Sequence, residues 1–166
     1  RTSEPHTYNY YDATKVNSDS VNYLGLINIE EEMVVTDHGL SDKSIVLDSL
    51  PGTYKCTAIV DNDQNLKALV AAHETSTILS NNIPYETMEK YSISSVSGYC
   101  GIFNIDYYNN RQEVIFKDLS RNNFIYFNTD NKGIIGKATK DEKCTLYVQK
   151  NENGKIVFAC LSFKDE

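Results

Sequence analysis

The chain has 166 residues, with 40% hydrophobic and 23% charged residues, which are the proportions of a globular protein of one domain. Acidic residues number 23 against 16 lysines and arginines, and the resulting net charge of −7 argues against a nucleic-acid or anionic-membrane partner. No apolar run approaches the length of a membrane-spanning helix.

The start of the chain differs in character from the rest. Residues 1–20 lack a periodic apolar pattern, which predicts a tail or linker ahead of a single β-rich domain over 21–166. That domain opens with an apolar strand over 21–29, in which Gly25 indicates a bulge or a close approach of the backbone. After a charged corner, a partner strand resumes over 33–36.

The clearest hairpin lies in the middle of the chain. Residues 53–60 begin with a strict alternation of side-chain character that predicts a strand. Residues 66–72 follow a polar loop and are predicted to form the second strand of the hairpin. The second arm is rich in leucine and alanine, so the start of a helix is an open alternative there. A proline near the first position predicts a single helical turn over 84–90.

The next segment mixes strand and helix signals. Residues 92–95 and 99–103 are strand-like, separated by a serine and a glycine. From Asp106 to Leu119 the pattern favours a helix, although residues 114–116 also fit a strand.

The C-terminal third predicts a meander. Strands are expected over 124–127 and 133–136, and a last hairpin pairs 144–148 with 156–163 through a turn that contains Asn153-Gly154. Because strands outnumber helices, the sequence predicts a mainly β fold, an antiparallel sandwich or half-open barrel with one or two short helices.

Four cysteines, Cys56, Cys100, Cys144 and Cys160, each lie in an apolar strand-like stretch. Their spacing fits no structural zinc site. A thiol in such a stretch usually serves as a small buried hydrophobe, with one or two disulfides as the alternative. The prediction of free thiols slightly favours the cytoplasm over secretion.

Two segments resemble ligand-binding loops, and both fail on spacing. The acidic loop after residue 60 has Leu66 and Ala72 where a calcium loop requires glycine and glutamate. The segment over 133–139 is too short for a phosphate loop and has Ala138 in place of the hydroxyl. The sequence therefore predicts neither a cofactor nor a metal site.

A thiol nucleophile requires a histidine that holds it as thiolate. Cys100 lies between Tyr99 and Gly101 and is the best candidate, with His73 or His38 as its partner, but nothing in the sequence places them together. We therefore expect no catalytic residues and keep a Cys100-dependent hydrolase as an alternative. An extracellular structural or assembly protein with disulfides is a further alternative.

Acids and tyrosines supply the main functional signal. Negative charge concentrated in one region steers a basic protein partner, and tyrosines beside acids add contact area at low entropic cost. The candidate partner-binding residues are Glu30, Glu31, Glu32, Asp37, Tyr85, Tyr107 and Tyr108. The sequence thus predicts a non-enzymatic protein-binding module, and an immunity- or antitoxin-like protein that binds a basic partner is its concrete form.

Several turn-and-strand features occur together over residues 24–163. They are Leu24-Gly25, Thr36-Asp37, Pro51-Gly52-Thr53-Tyr54, Ser97-Gly98 with Gly101-Ile102-Phe103, Tyr147, and Gly154-Lys155-Ile156-Val157. Their order resembles an uncharacterised bacterial family, a domain of unknown function. Val96, Asn104 and Lys140-Asp141-Glu142 depart from the acidic positions of that family, and only Asp37 and Asp141 remain. The resemblance implies a shared scaffold and no activity.

Overall fold

The computed structural model describes residues 8–12, 21–37, 44–60, 66–94, 99–106, 124–128, 132–137 and 143–163. These residues form twelve β-strands and one 3₁₀ turn, Tyr85–Thr87. The strands are β1 (Tyr8–Asp12), β2 (Val21–Ile29), β3 (Glu32–Asp37), β4 (Ile45–Asp48), β5 (Gly52–Val60), β6 (Leu66–His73), β7 (Glu89–Ser94), β8 (Tyr99–Asn104), β9 (Phe124–Asn128), β10 (Gly133–Lys137), β11 (Lys143–Lys150) and β12 (Ile156–Ser162).

The strands form two six-stranded antiparallel sheets, as expected of a β-sandwich. The first sheet has the order β1-β9-β10-β8-β3-β4, and the second has the order β2-β5-β6-β12-β11-β7. The turn between β2 and β3 carries the chain from the second sheet to the first. This connection places the end of one sheet directly beside the end of the other.

The main core lies between the sheets. Apolar side chains at alternate positions of the inner strands are fully or almost fully buried there, among them Ile27, Met33, Leu69, Ile102, Ile134, Leu146 and Leu161. The two sheets approach closely at Gly136 in β10, where an added Cβ would lie 2.6 Å from the Leu66 side chain. Glycine is therefore required at this position for the sheets to pack.

A second apolar cluster covers the outer face of the second sheet. Val70, Tyr147 and Phe158 point outward from three adjacent strands and are buried beneath the connection between β6 and β7. That connection contributes partly buried side chains, Ile78, Ile83, Tyr85 and Met88. Every residue of β12 is consequently buried, which explains its continuous apolar sequence, IVFACLS.

Most of the strands predicted from the sequence are present. The hairpin of β5 with β6 and that of β11 with β12 are both formed, which resolves the second arm of the first hairpin as a strand. The bulge predicted at Gly25 is confirmed by a register shift between Tyr23 and Gly25 opposite β5.

Three other predicted segments are the tail over 1–20, the helical turn over 84–90 and the helix over 106–119. Within the predicted tail over 1–20, residues 8–12 form β1 and pair with β9, because backbone pairing at a sheet edge needs no apolar periodicity. The helical turn predicted over 84–90 is limited to Tyr85–Thr87, and Glu89 already belongs to β7. The helix predicted over 106–119 lies outside the described residues apart from Asp106. Among the described residues, no helix is long and apolar enough to cross a membrane.

Candidate protein-interaction surface

The antiparallel registers bring many strand ends to the same end of the sandwich. In the second sheet, Ile29 lies opposite Gly52, and Lys150 lies opposite Ile156. In the first sheet, Glu32 lies opposite Asp48. A bridge between Ser49 and Ile156 joins these ends across the two sheets.

Acidic residues collect at this end, and we refer to them together as the acidic end. It comprises Glu30, Glu31, Glu32, Asp48, Glu74, Asp106 and Glu152, each of which lies at a strand end or in the turn beside it. Glu30 and Asp48 keep 59% and 65% of their side-chain surface exposed. The carboxylates are therefore available to a partner from solvent.

The turn at the centre of the acidic end is held by two backbone anchors. The backbone N–H of Glu30 donates a hydrogen bond to Oδ1 of Asn104 at 3.1 Å, and Asn104 is buried at the end of β8. The backbone N–H of Ser49 donates to the carbonyl oxygen of Glu31 at 3.1 Å. These bonds fix the backbone from which the carboxylates project, so their arrangement is preorganised.

Lysines neutralise part of this charge. Lys132 forms an ion pair with Glu30 at 3.3 Å, and Lys155 donates to both carboxylate oxygens of Asp48 at 2.8 and 2.9 Å. These pairs are exposed, so they are screened by salt and contribute little to stability. Among the described residues, Glu30 and Asp48 are thus paired with Lys132 and Lys155, and the acidic end comprises seven acids in all.

A third ion pair flanks the acidic end at the start of β7. Lys150 lies 3.1 Å from the carboxylate of Glu89, and the Tyr91 hydroxyl donates to the same carboxylate at 2.7 Å. The hydrogen bond from Tyr91, followed by that from Lys150, holds the pKa of Glu89 below its ordinary value. Glu89 therefore stays negatively charged, and its carboxylate is bonded to Tyr91 and Lys150.

The structure groups only some of the predicted partner-binding residues. Glu30, Glu31 and Glu32 lie together at the acidic end, whereas Asp37 terminates β3 at the opposite end of that strand. Five residue steps along a strand separate Glu32 from Asp37, which is about 17 Å.

The predicted tyrosines are placed differently. Tyr85 lies in the 3₁₀ turn over the outer face of the second sheet, where its ring contacts that of Tyr147 edge-on at 4.8 Å between centroids. Tyr85 is thus half-buried and contributes to packing. Tyr107 and Tyr108 lie outside the described residues.

Four members of the acidic end were not among the predicted partner-binding residues, namely Asp48, Glu74, Asp106 and Glu152. Glu74 directly follows β6, Asp106 follows β8, and Glu152 lies in the turn between β11 and β12. They are isolated in the sequence, and only the register of the strands brings them to the same end. Only Glu152 had a local signal of its position, because it adjoins the Asn-Gly turn and a hairpin turn lies at the end of its strands.

His73 has a structural role beside the acidic end. Its Nδ1 accepts a hydrogen bond from the backbone N–H of Thr75 at 3.1 Å, so Nε2 carries the proton and donates to the carbonyl oxygen of Pro51 at 3.1 Å. The ring also meets that of Tyr54 edge-on at 5.2 Å. Nε2 of His73 therefore holds the turn between β4 and β5, and Nδ1 holds the backbone directly after β6.

The same turn is fastened by a buried tyrosine. The hydroxyl of Tyr54 lies 2.7 Å from the carbonyl oxygen of Leu50 and 2.9 Å from that of Ile156. Burial raises the pKa of Tyr54 well above its ordinary value, so the hydroxyl keeps its proton and remains a donor.

The arrangement around Cys100 does not resemble that of a thiol nucleophile. Cys100 is fully buried in β8, and its sulfur lies 3.5 Å from that of Cys144. His73, the histidine of the described part that was considered as a partner, is bonded to Pro51 and Thr75. His38 lies outside the described residues. A substrate has no access to the Cys100 sulfur in this conformation.

A groove lies beside the connection that covers the second sheet. Its volume is about 650 Å³, and it is open to solvent. Its lining mixes apolar and polar side chains, namely Thr77, Ile78, Leu79, Asn82, Pro84, Thr87, Met88, Glu89, Val148, Gln149 and Lys150. Within the described part of the chain, no three or more His, Cys, Asp and Glu residues lie close enough to hold a metal ion.

Comparisons with protein-family models, curated proteins and solved structures find no significant match to the chain.

Proposed function

We propose that the chain is a non-enzymatic protein-binding module and that its acidic end binds a basic protein partner. The observation that carries this proposal is the convergence, within the described part of the chain, of seven acidic residues from five strand ends and turns. Opposite charge on a partner accelerates association and selects among partners, because the field of clustered charges acts before contact.

The rigidity of the acidic end supports the same role. Asn104 and Ser49 hold the turn that carries Glu30 and Glu31, so little conformational freedom is lost when a partner binds. A preorganised surface is what distinguishes a docking site from a merely solvated group of charges.

An immunity- or antitoxin-like protein that covers a basic toxin is the concrete form of this proposal. Such a protein acts by occupying a surface of its partner and needs neither a cofactor nor a nucleophile. The full burial of Cys100 and the engagement of both nitrogens of His73 favour recognition over thiol chemistry.

The test compares two charge reversals that change the net charge equally. Glu31→Lys reverses an exposed carboxylate of the acidic end, and Glu86→Lys reverses an exposed carboxylate in the 3₁₀ turn. Each immobilised variant and the wild type are exposed to a native lysate, and the retained proteins are identified by mass spectrometry.

We expect the wild type and Glu86→Lys to retain the same basic protein and Glu31→Lys to lose it. The retained protein should elute on raising the salt concentration, because charge attraction is screened. Retention that is insensitive to salt, equal losses in the two variants, or no retained basic protein would contradict the proposal.

A further inference from the structure

One pair of cysteines joins the two sheets through the core. Cys100 lies in β8 of the first sheet, Cys144 lies in β11 of the second, and their sulfur atoms are 3.5 Å apart. Both side chains are fully buried. We propose that Cys100 and Cys144 form a disulfide site that links the two sheets covalently under oxidising conditions.

The position of the two sulfurs suits this bond. A disulfide has a sulfur–sulfur distance of about 2.05 Å, so the contact has to shorten by about 1.5 Å, shared between two side chains. The two strands belong to opposite sheets, and the thiols face each other across the space between them. Bond formation therefore requires the two side chains to rotate toward each other.

The other two cysteines are not placed to compete for Cys144. Cys160 points to the outer face of the second sheet, where its sulfur lies 3.9 Å from the Tyr85 hydroxyl. Cys56 lies in β5, three strands from β11 in the sheet order, which is about 14 Å. Cys100 is therefore the thiol placed to pair with Cys144.

The reaction is an exchange with a small disulfide oxidant such as oxidised glutathione. The thiolate of one cysteine attacks the glutathione disulfide, which releases one reduced glutathione and leaves a mixed disulfide. The thiolate of the second cysteine attacks the protein sulfur of that mixed disulfide and releases the second glutathione. The protein loses two protons and two electrons, which the oxidant takes up.

Burial determines when this exchange occurs. An oxidant has no access to either sulfur in the folded protein, so we expect the bond to form during folding, before the sheets close. Once formed inside the core, the bond is shielded from reductants in the same way.

The test uses the full chain, unfolded in urea and refolded either with a mixture of reduced and oxidised glutathione or with dithiothreitol. Circular dichroism verifies the β content of both samples. The samples are then denatured, alkylated with iodoacetamide and mapped by peptide mass spectrometry.

After oxidative refolding, we expect a linked peptide pair that contains Cys100 and Cys144, with Cys56 and Cys160 alkylated. The intact mass before alkylation should be lower by two hydrogen atoms than that of the dithiothreitol sample. Because the link restricts the unfolded chain, Tm should rise by about 5–15 °C.

Two variants test which cysteines form the disulfide. Cys144→Ala should abolish the linked pair, and Cys160→Ala should retain it. Four alkylated cysteines in the oxidatively refolded wild type, or a link that involves Cys56 or Cys160, would overturn the proposal. The wild-type map decides the question even where a variant fails to fold.

Discussion

The backbone N–H of Glu30 donates to the amide oxygen of Asn104, 3.1 Å away and 74 positions along the chain. Glu30 lies in the turn that leads from one sheet to the other, and Asn104 is buried at the end of β8. A second bond, from the Asn104 backbone N–H to the carbonyl oxygen of Lys132 at 2.8 Å, ties β8 to the start of β10. The acidic end is thus built on a buried polar residue.

Asn104→Ala should lower the free energy of unfolding by about 1–3 kcal/mol, because the Glu30 N–H loses its acceptor. Urea unfolding at neutral pH measures this change. The matched control is Asn28→Ala, since Asn28 is exposed and accepts only a bond of 3.3 Å from the Thr53 hydroxyl. The control should change stability by no more than about 0.5 kcal/mol. Equal effects of the two substitutions would show that the hydrogen bond between Glu30 and Asn104 does not contribute to stability.

Tyr54→Phe should destabilise the fold by about 1–2 kcal/mol, because the carbonyl oxygens of Leu50 and Ile156 lose a shared donor inside the protein. Tyr23→Phe is the control, since the Tyr23 side chain is exposed on the edge strand β2. Urea midpoints of the two variants are to be compared with that of the wild type. A midpoint of Tyr54→Phe equal to that of Tyr23→Phe would refute the role of the hydroxyl.

Stability should decrease in alkaline solution. Burial raises the pKa of both Tyr54 and Cys56 above their ordinary values. The folded protein therefore keeps protons that the unfolded chain releases above the ordinary pKa values of about 8.5 for cysteine and 10 for tyrosine. The contribution is fully present below pH about 8.5 and is lost as the pH rises beyond it.

Urea unfolding at a series of pH values from neutral to strongly alkaline measures this loss. Tyr54→Phe should flatten the decline above pH about 10 by up to about 1.4 kcal/mol per pH unit, and Tyr23→Phe should leave it unchanged. A free energy of unfolding that stays constant over this range would be incompatible with protonated, buried groups at these positions.

Gly52→Ala should cost more than Gly154→Ala. Gly52 has a φ of +139°, and an added Cβ would lie 2.7 Å from Nε2 of His73. Gly154 has a φ of +80° with open space around it. We expect a loss of about 3 kcal/mol for the first variant, from strain and a clash, and about 1 kcal/mol for the second, from strain alone. Thermal unfolding measures both, and equal losses would show that the contact with His73 exerts no constraint.

Local sequence patterns account for the hairpins of this fold. The alternation of residues 53–60 and the Asn153-Gly154 turn specify strands and turns within a few residues, and the structure has both hairpins. Gly25 likewise indicates its bulge through the residue type alone. These features are predictable because their causes lie within the segments themselves.

Features that depend on how strands meet were not predictable. Glu74, Asp106 and Glu152 reach the same end only through the registers of several ladders. The segment that covers the second sheet uses apolar residues five positions apart, Ile78, Ile83 and Met88, and this spacing matches neither the helical nor the strand period. The distance between Cys100 and Cys144 depends on the packing of one sheet on the other.

Hydrogen–deuterium exchange of the chain, alone and bound to the basic protein that it captures, tests the central claim most directly. Binding at the acidic end predicts added protection in peptides that cover residues 29–32, 48–52 and 151–155, with no change over 77–88. Added protection confined to residues 77–88, which border the groove on the outer face of the second sheet, would contradict it.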